Sequence, residues 1–220
     1  MSEANYADCE ERDGWFLAQD VNAWSSLAYG VAGVVIVVAV VRWRVPRAFL
    51  ALAVAITVEG VGSLLYHGDP SDVAQLLHDG ALVATLGLMS GWHVGRLSGA
   101  ADVGASFGLA VGVVAGALAA STSAAITSAF VAGSVIIVVA AELLARRAGR
   151  PAVWNGAILC LIALALLAWV SGTTGSPLCD AESWLQPHAL WHVLSALVVL
   201  AWVARASAAA SPDASLPAAS

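Results

Sequence analysis

The sequence predicts an all-α, polytopic membrane protein: a bundle of seven transmembrane helices. Three observations carry that prediction. Of the 220 residues, 60% are hydrophobic and only 11% are charged, against about 25% charged in an ordinary soluble domain. Mean hydropathy is +0.84. A spanning helix needs ~20 apolar residues, and such runs follow one another with barely a pause. The same composition excludes a disordered chain, a collagen and a disulfide-rich secreted mini-protein. All nine basic residues are arginine. That leaves no polybasic nucleic-acid patch and no Schiff-base lysine.

The first 22 residues are acidic and polar. They lack the basic and apolar regions of a cleavable signal peptide, so they are expected to form an extracytoplasmic N-terminal segment. Residues 23–205 form the seven-helix domain. Its spans lie at about 23–41, 48–66, 73–92, 104–120, 126–144, 153–171 and 188–203. They are helical because lipid offers no water to backbone groups, and a helix satisfies them internally. The least marked break is 119–125, a small-residue stretch expected to turn; without a turn there the count is six. Residues 206–220, rich in Ala, Ser and Pro, are expected to be a disordered cytoplasmic tail.

Orientation follows from charge. Arg42, Arg44, Arg47, Arg96, Arg146, Arg147, Arg150 and Arg205 all fall on one side, which is then cytoplasmic. Glu3, Asp8, Glu10, Glu11, Asp13, Asp20, Asp69, Asp72, Asp180 and Glu182 fall on the other. The expected location is a plasma membrane, bacterial by its Ala/Val/Arg-rich composition, with the N-terminus outside. Trp24, Trp43, Trp92, Trp154, Trp169, Trp184 and Trp202 lie near span ends and read as interfacial anchors.

Titratable groups inside spans are costly, so each is a functional candidate. Those here are Glu59, Ser63, His67, His78, Asp79, Glu142, His188 and His192. Glu142 and His93, at inner ends, read as solvated termini, and Glu59 as a protonated carboxyl bonded to a neighbouring helix. The remainder converge at the outer ends of spans two, three and seven. His188 and His192 are an i, i+4 pair on one helix face, as are Ser63 and His67. A paired set of histidines plus one from another helix makes a three-His zinc site with a position open for water. The third ligand is His67 or His78; His78 would point about 100° away from its neighbour Asp79. Cys9 and Cys179 both fall on the oxidising side, which favours a disulfide over two free thiols. Cys160, mid-span, reads as a small core residue.

Three segments resemble the alkaline ceramidases and the wider superfamily of seven-span metal hydrolases. They are Asp8-Cys9-Glu10 with the later Asn22-Ala-Trp-Ser-Ser26; Gly60-Val-Gly-Ser-Leu-Leu-Tyr-His67 continuing to Gln75-Leu-Leu-His-Asp79; and His188-Ala-Leu-Trp-His192. They cover about a quarter of the chain, in the right order and spans. The resemblance implies a zinc-dependent amidase that cleaves the N-acyl bond of ceramide-like lipids. It implies His67, His188 and His192 as zinc ligands, with Ser63 and an aspartate on span three beside the metal. Asp79 fits that aspartate with a one-residue shift, because His78 follows Gln-Leu-Leu directly. An N-terminal calcium motif is also implied. Its counterparts here are Asp8, Glu10, Asp13, Asp20 and Asn22, but its Trp is absent, Arg12 replaces an Asn and Gln19 a Glu. The expected partner is a membrane lipid, not a nucleic acid; oligomeric state is left open. Two non-hydrolytic functions compete: a receptor-like module with a structural zinc, and a metal or proton transporter.

Overall fold

The computed structural model describes residues 8–12, 17–43, 45–120 and 124–210. Among these, eight helices form: α1 (Asp20–Ser25), α2 (Leu27–Trp43), α3 (Phe49–Gly68), α4 (Asp72–Leu97), α5 (Ala101–Ala120), α6 (Ala124–Arg147), α7 (Gly156–Ser171) and α8 (Pro187–Ala210). Six segments are long and apolar enough to cross a membrane, with α1 and α2 together making the first. The chain is thus a multi-pass helical membrane protein. Helix α7 has 16 residues, about 24 Å at 1.5 Å per residue, short of the ~30 Å hydrocarbon core. Helix α5 ends at Ala120 and α6 begins at Ala124; residues 121–123, within the stretch expected to turn, lie outside the described residues. The last helix runs to Ala210, past the expected start of a disordered tail at 206; residues 211–220 lie outside the described residues.

Helix starts follow side-chain capping. Ser71 Oγ accepts the Ala74 N–H at the start of α4, and Asn155 Oδ1 accepts the Ile158 N–H at the start of α7. The α1–α2 break sits at Ser26, whose hydroxyl donates back to the Asn22 carbonyl at 2.9 Å. Such back-bonding competes with the helical ladder and bends a helix.

In order, α7, α8, α2, α3 and α4 pack as successive neighbours, and α5 and α6 pack on α4. Short α1 wedges between α3 and α8. Outward faces are aliphatic: Val34, Val54, Phe107 and Ile136 all point away from the bundle. In lipid such faces drive no association, so close packing must come from small residues. The α4–α5 pair shows this. Gly80, Ala84, Gly87, Gly91 and Gly95 meet Gly116, Gly112, Gly108 and Gly104 backbone to backbone. A β-carbon on Gly87 would lie 2.5 Å from the Gly108 carbonyl oxygen, and one on Gly116 2.7 Å from Gly80 Cα.

The core is an aromatic-aliphatic cluster of Tyr29, Ile36, Phe49, Leu52, Leu88, Trp92 and Trp202. Trp92 and Trp202 are therefore buried in the bundle, which corrects their reading as interfacial anchors; Trp24, Trp43 and Trp184 do face outward. Cys160 also faces outward rather than into the core.

His93 and Glu142 are buried too, not solvated termini. Glu142 accepts from Arg96 Nη1 and Arg146 Nε, both at 3.2 Å, and from the Val153 N–H at 2.9 Å. His93 Nε2 accepts from Trp202 Nε1 at 2.9 Å and Trp154 Nε1 at 3.1 Å. Arg96 Nη2 also donates to the Pro151 carbonyl, and Arg205 to the Ala152 carbonyl. The network ties α4, α6 and α8 to the 151–154 loop, at the end of α4 remote from the other histidines. Most of its donors and acceptors face one another; His93 Nδ1 has no hydrogen-bond partner and lies 3.6 Å from Glu142 Oε2.

Candidate metal centre

His67 ends α3, and His188 and His192 open α8. One ligating atom from each lies within 4.8 Å of the others, the single place among the described residues where three such groups converge. The ring centroids stand 4.8–5.2 Å apart. All three side chains are buried. Two close backbone approaches flank them. Gly62 lets α4 touch α3, where a β-carbon would lie 2.5 Å from His78 N. Gly172, after α7, lets the chain reach the start of α8, where one would lie 2.6 Å from His188 N.

Hydrogen bonds decide which imidazole nitrogens face inward. Gln19 Nε2 donates to the Glu10 carbonyl at 2.7 Å, which orients its amide. Its Oε1 then accepts from His67 Nδ1 at 2.7 Å. His67 Nε2 is left as the lone pair, buried and with no protein partner. At His192, the Ser25 hydroxyl gives its proton to the Asn22 carbonyl at 2.8 Å. Ser25 Oγ therefore accepts from His192 Nδ1, at 2.8 Å, and His192 Nε2 is again the bare nitrogen. Asp8 Oδ1 lies 3.1 Å from His188 Nδ1 and Oδ2 3.8 Å from His67 Nδ1. The Asp8–His188 approach is at ion-pair distance without hydrogen-bond geometry. A buried ring nitrogen with no donor beside two further imidazoles is a donor set that could hold a metal ion.

Ser63 sits one turn before His67, with its Oγ 3.4 Å from His192 Nε2 and 2.8 Å from Ser26 Oγ. Asp79 is held by His78: Oδ1 lies 2.9 Å from His78 Nδ1. His78 Nε2 in turn lies 3.8 Å from buried Glu59, whose Oε2 has no partner. Tyr66 stacks on His78 at 4.9 Å, and His78 meets His67 edge-on at 6.2 Å. Residues 59, 78 and 79 thus form a carboxylate–imidazole–carboxylate row against the trio. Glu59, expected to bond a neighbouring helix, does face one, through this imidazole of α4, at 3.8 Å and without a hydrogen bond.

The calcium candidates do not gather into a second centre among the described residues. Glu10 spends both oxygens on the N–H groups of Val21 and Asn22, at 2.7 and 2.8 Å, capping α1. Burial pushes its carboxyl above the ordinary value, against the pull of those two N–H groups. Asp20 accepts the Leu17 N–H at 3.1 Å. Asn22 is buried with its side-chain amide unpartnered, Asp8 faces the histidines, and Asp13 lies outside the described residues.

Cys9 and Cys179 form a disulfide. Around it, Cys9 N donates to the Gly172 carbonyl at 2.7 Å and Glu11 N to that of Ala181 at 3.1 Å. The far end of the N-terminal segment docks on α3, where Ala18 N and Gln19 N donate to the carbonyls of Gly68 and His67. These bonds satisfy carbonyls that the end of α3 leaves open. The sequence singles out the three histidines and Ser63, gives Ser25 no role at the site, and places Asp8 and Gln19 only in the calcium motif. Compared with known proteins, the chain matches no family model and no curated sequence.

Proposed function

We propose that the protein is a zinc-dependent hydrolase embedded in a plasma membrane, cleaving the amide bond of a ceramide-like N-acyl lipid. The reading takes it as a seven-span bacterial relative of the alkaline ceramidases, with α7 as the short seventh span, the N-terminus outside and the C-terminus cytoplasmic. One observation carries it: one ligating atom each of buried His67, His188 and His192 lies within 4.8 Å of the others, and His67 Nε2 is left with no protein partner. The resemblance in sequence supplies the substrate class.

Zinc held there would supply a Lewis acid and lower the pKa of a bound water toward ~7. The chain's own residues do the rest. Asp79 takes the proton from the attacking water and returns it to the leaving amine. His78 fixes the Asp79 carboxylate through their 2.9 Å contact. Ser63 Oγ, 3.4 Å from His192 Nε2, gives its proton to Ser26 Oγ at rest and would turn it to the developing oxyanion. Outward aliphatic faces such as Val61 and Leu65, on the same helix as Ser63 and His67, keep an acyl chain in lipid beside the site.

The test is release of fatty acid from an N-acyl sphingoid substrate in mixed micelles. His192→Ala should abolish it while the protein still migrates as a folded monodisperse species. Unchanged hydrolysis in that variant would sink the proposal. A structural-zinc module is the second reading, in which the Asp8 carboxylate, 3.1 Å from His188 Nδ1, would turn onto the metal as a fourth ligand. Azide should shift the visible spectrum of cobalt-substituted protein if a coordination position is open, and leave it unmoved if the site is closed.

A further inference from the structure

The polar partners of the three histidines share an origin that the spans do not explain. Gln19 at His67, Ser25 at His192 and Asp8 at His188 all come from residues 8–25. No partner on an Nδ1 atom of the trio comes from α2 to α8 among the described contacts. Each partner is also fixed from behind. Gln19 is oriented by the Glu10 carbonyl, and Ser25 by the Asn22 carbonyl. The Asp8 backbone is held by a bridge to Thr173 and by the Thr174 hydroxyl, which donates to the Asp8 carbonyl at 3.0 Å. An imidazole can bind a metal through one nitrogen only when the other holds the proton, and a partner on that proton sets both tautomer and ring orientation.

We propose that Gln19, Ser25 and Asp8 are the positioning residues of the metal centre, so that the N-terminal segment sets how tightly the metal is held. The proposal rests on the metal-centre reading above. The spans bring the imidazoles together; the segment decides which nitrogens they present. It also explains why Gln19 suits its place. An amide donates to Glu10 and accepts from His67 at once, whereas a carboxylate has no donor for the Glu10 carbonyl.

The experiment uses the full-length protein in detergent, stripped of metal and titrated with zinc against a chelating dye. Wild type should bind about one zinc. Gln19→Ala, Ser25→Ala and Asp8→Asn should each bind about 10- to 100-fold more weakly. Ser25→Thr, which keeps the hydroxyl, should restore most of the affinity lost in Ser25→Ala. Affinities within about twofold of wild type in the alanine variants would overturn the positioning roles and leave the metal centre standing. No zinc on wild type would overturn both. A second measurement needs no variant. In nitrogen-15 histidine spectra of the metal-free protein, His67 and His192 should be neutral with the proton on Nδ1. Protons on Nε2 would overturn the proposal even if every variant misfolds.

Discussion

At Asp79 the neighbouring imidazole decides what the carboxylate does. His78 takes one Asp79 oxygen, and its other face looks to Glu59. Asp79→Asn should lower hydrolysis about 10²- to 10⁴-fold, the usual worth of a positioned proton acceptor, while zinc per chain stays unchanged. His78→Ala should lose less activity and no zinc. Zinc lost in His78→Ala, with activity kept in Asp79→Asn, would make His78 the ligand and cancel the one-residue shift that matches Asp79 to the family. Glu10 gives a pH prediction. Its carboxyl is raised above 4.5 by burial, so the folded chain holds that proton more tightly than the unfolded one. The stability it contributes is full below 4.5 and is lost as pH rises through the raised value. Melting curves from pH 4 upward should therefore show wild type falling relative to Glu10→Gln. Parallel curves would refute this. The histidines and Ser63 were legible in the sequence because i, i+4 spacing fixes them on a helix face before any tertiary contact. Gln19 and Ser25 were not, since they lie in or beside a six-residue helix with no period to read, and their partners are 48 and 167 residues away; Asp8 was not, since it lies in a bridge to Thr173 outside any helix.

Helix α5 depends on α4 for nearly all its packing, and that packing is glycine against glycine. A larger side chain must push two backbones apart. Gly108→Val should therefore cost about 1–3 kcal/mol, the usual penalty of overpacking, read by chemical unfolding in micelles. Gly133→Ala on α6, with nothing near its β-carbon position, should be silent. At the other end of α4, Glu142→Gln leaves the Arg96 guanidinium buried without its carboxylate. Breaking such a pair costs about 3–5 kcal/mol, and a variant as stable as wild type would mean that the backbone carbonyls suffice. The long apolar runs placed the helices well, because membrane thickness selects length. The same runs hid which face turns inward. Trp92, Trp202, His93 and Glu142 lie at span ends, where sequence position suits an interfacial or solvated side chain as well as a buried one. Only the meeting of α4, α6 and α8 separates the two.

For the molecule as a whole, the Cys9–Cys179 disulfide spans 170 residues and joins the start of the described chain to the loop before α8. Its removal should cost about 2–5 kcal/mol. If the N-terminal segment positions the histidines, Cys9→Ser/Cys179→Ser should also bind zinc less tightly, and an unaltered affinity would show that the backbone bonds hold the segment alone. The pairing was legible from side-of-membrane reasoning, since both cysteines follow from span count and charge. That the segment lies over the histidines was not, because nothing in residues 8–25 signals an outer partner until α1 is wedged between α3 and α8. The distribution of the centre along the chain has a consequence for biosynthesis. Its parts are contributed by the first segment, the third helix and the last, so no partial product of translation contains it. A chain emerging from the ribosome exposes His67 long before His188 exists, and a lone imidazole is a poor trap for a cation. On the metal-centre proposal, capture of the cation would therefore wait until His188 and His192 of α8 have been made and inserted.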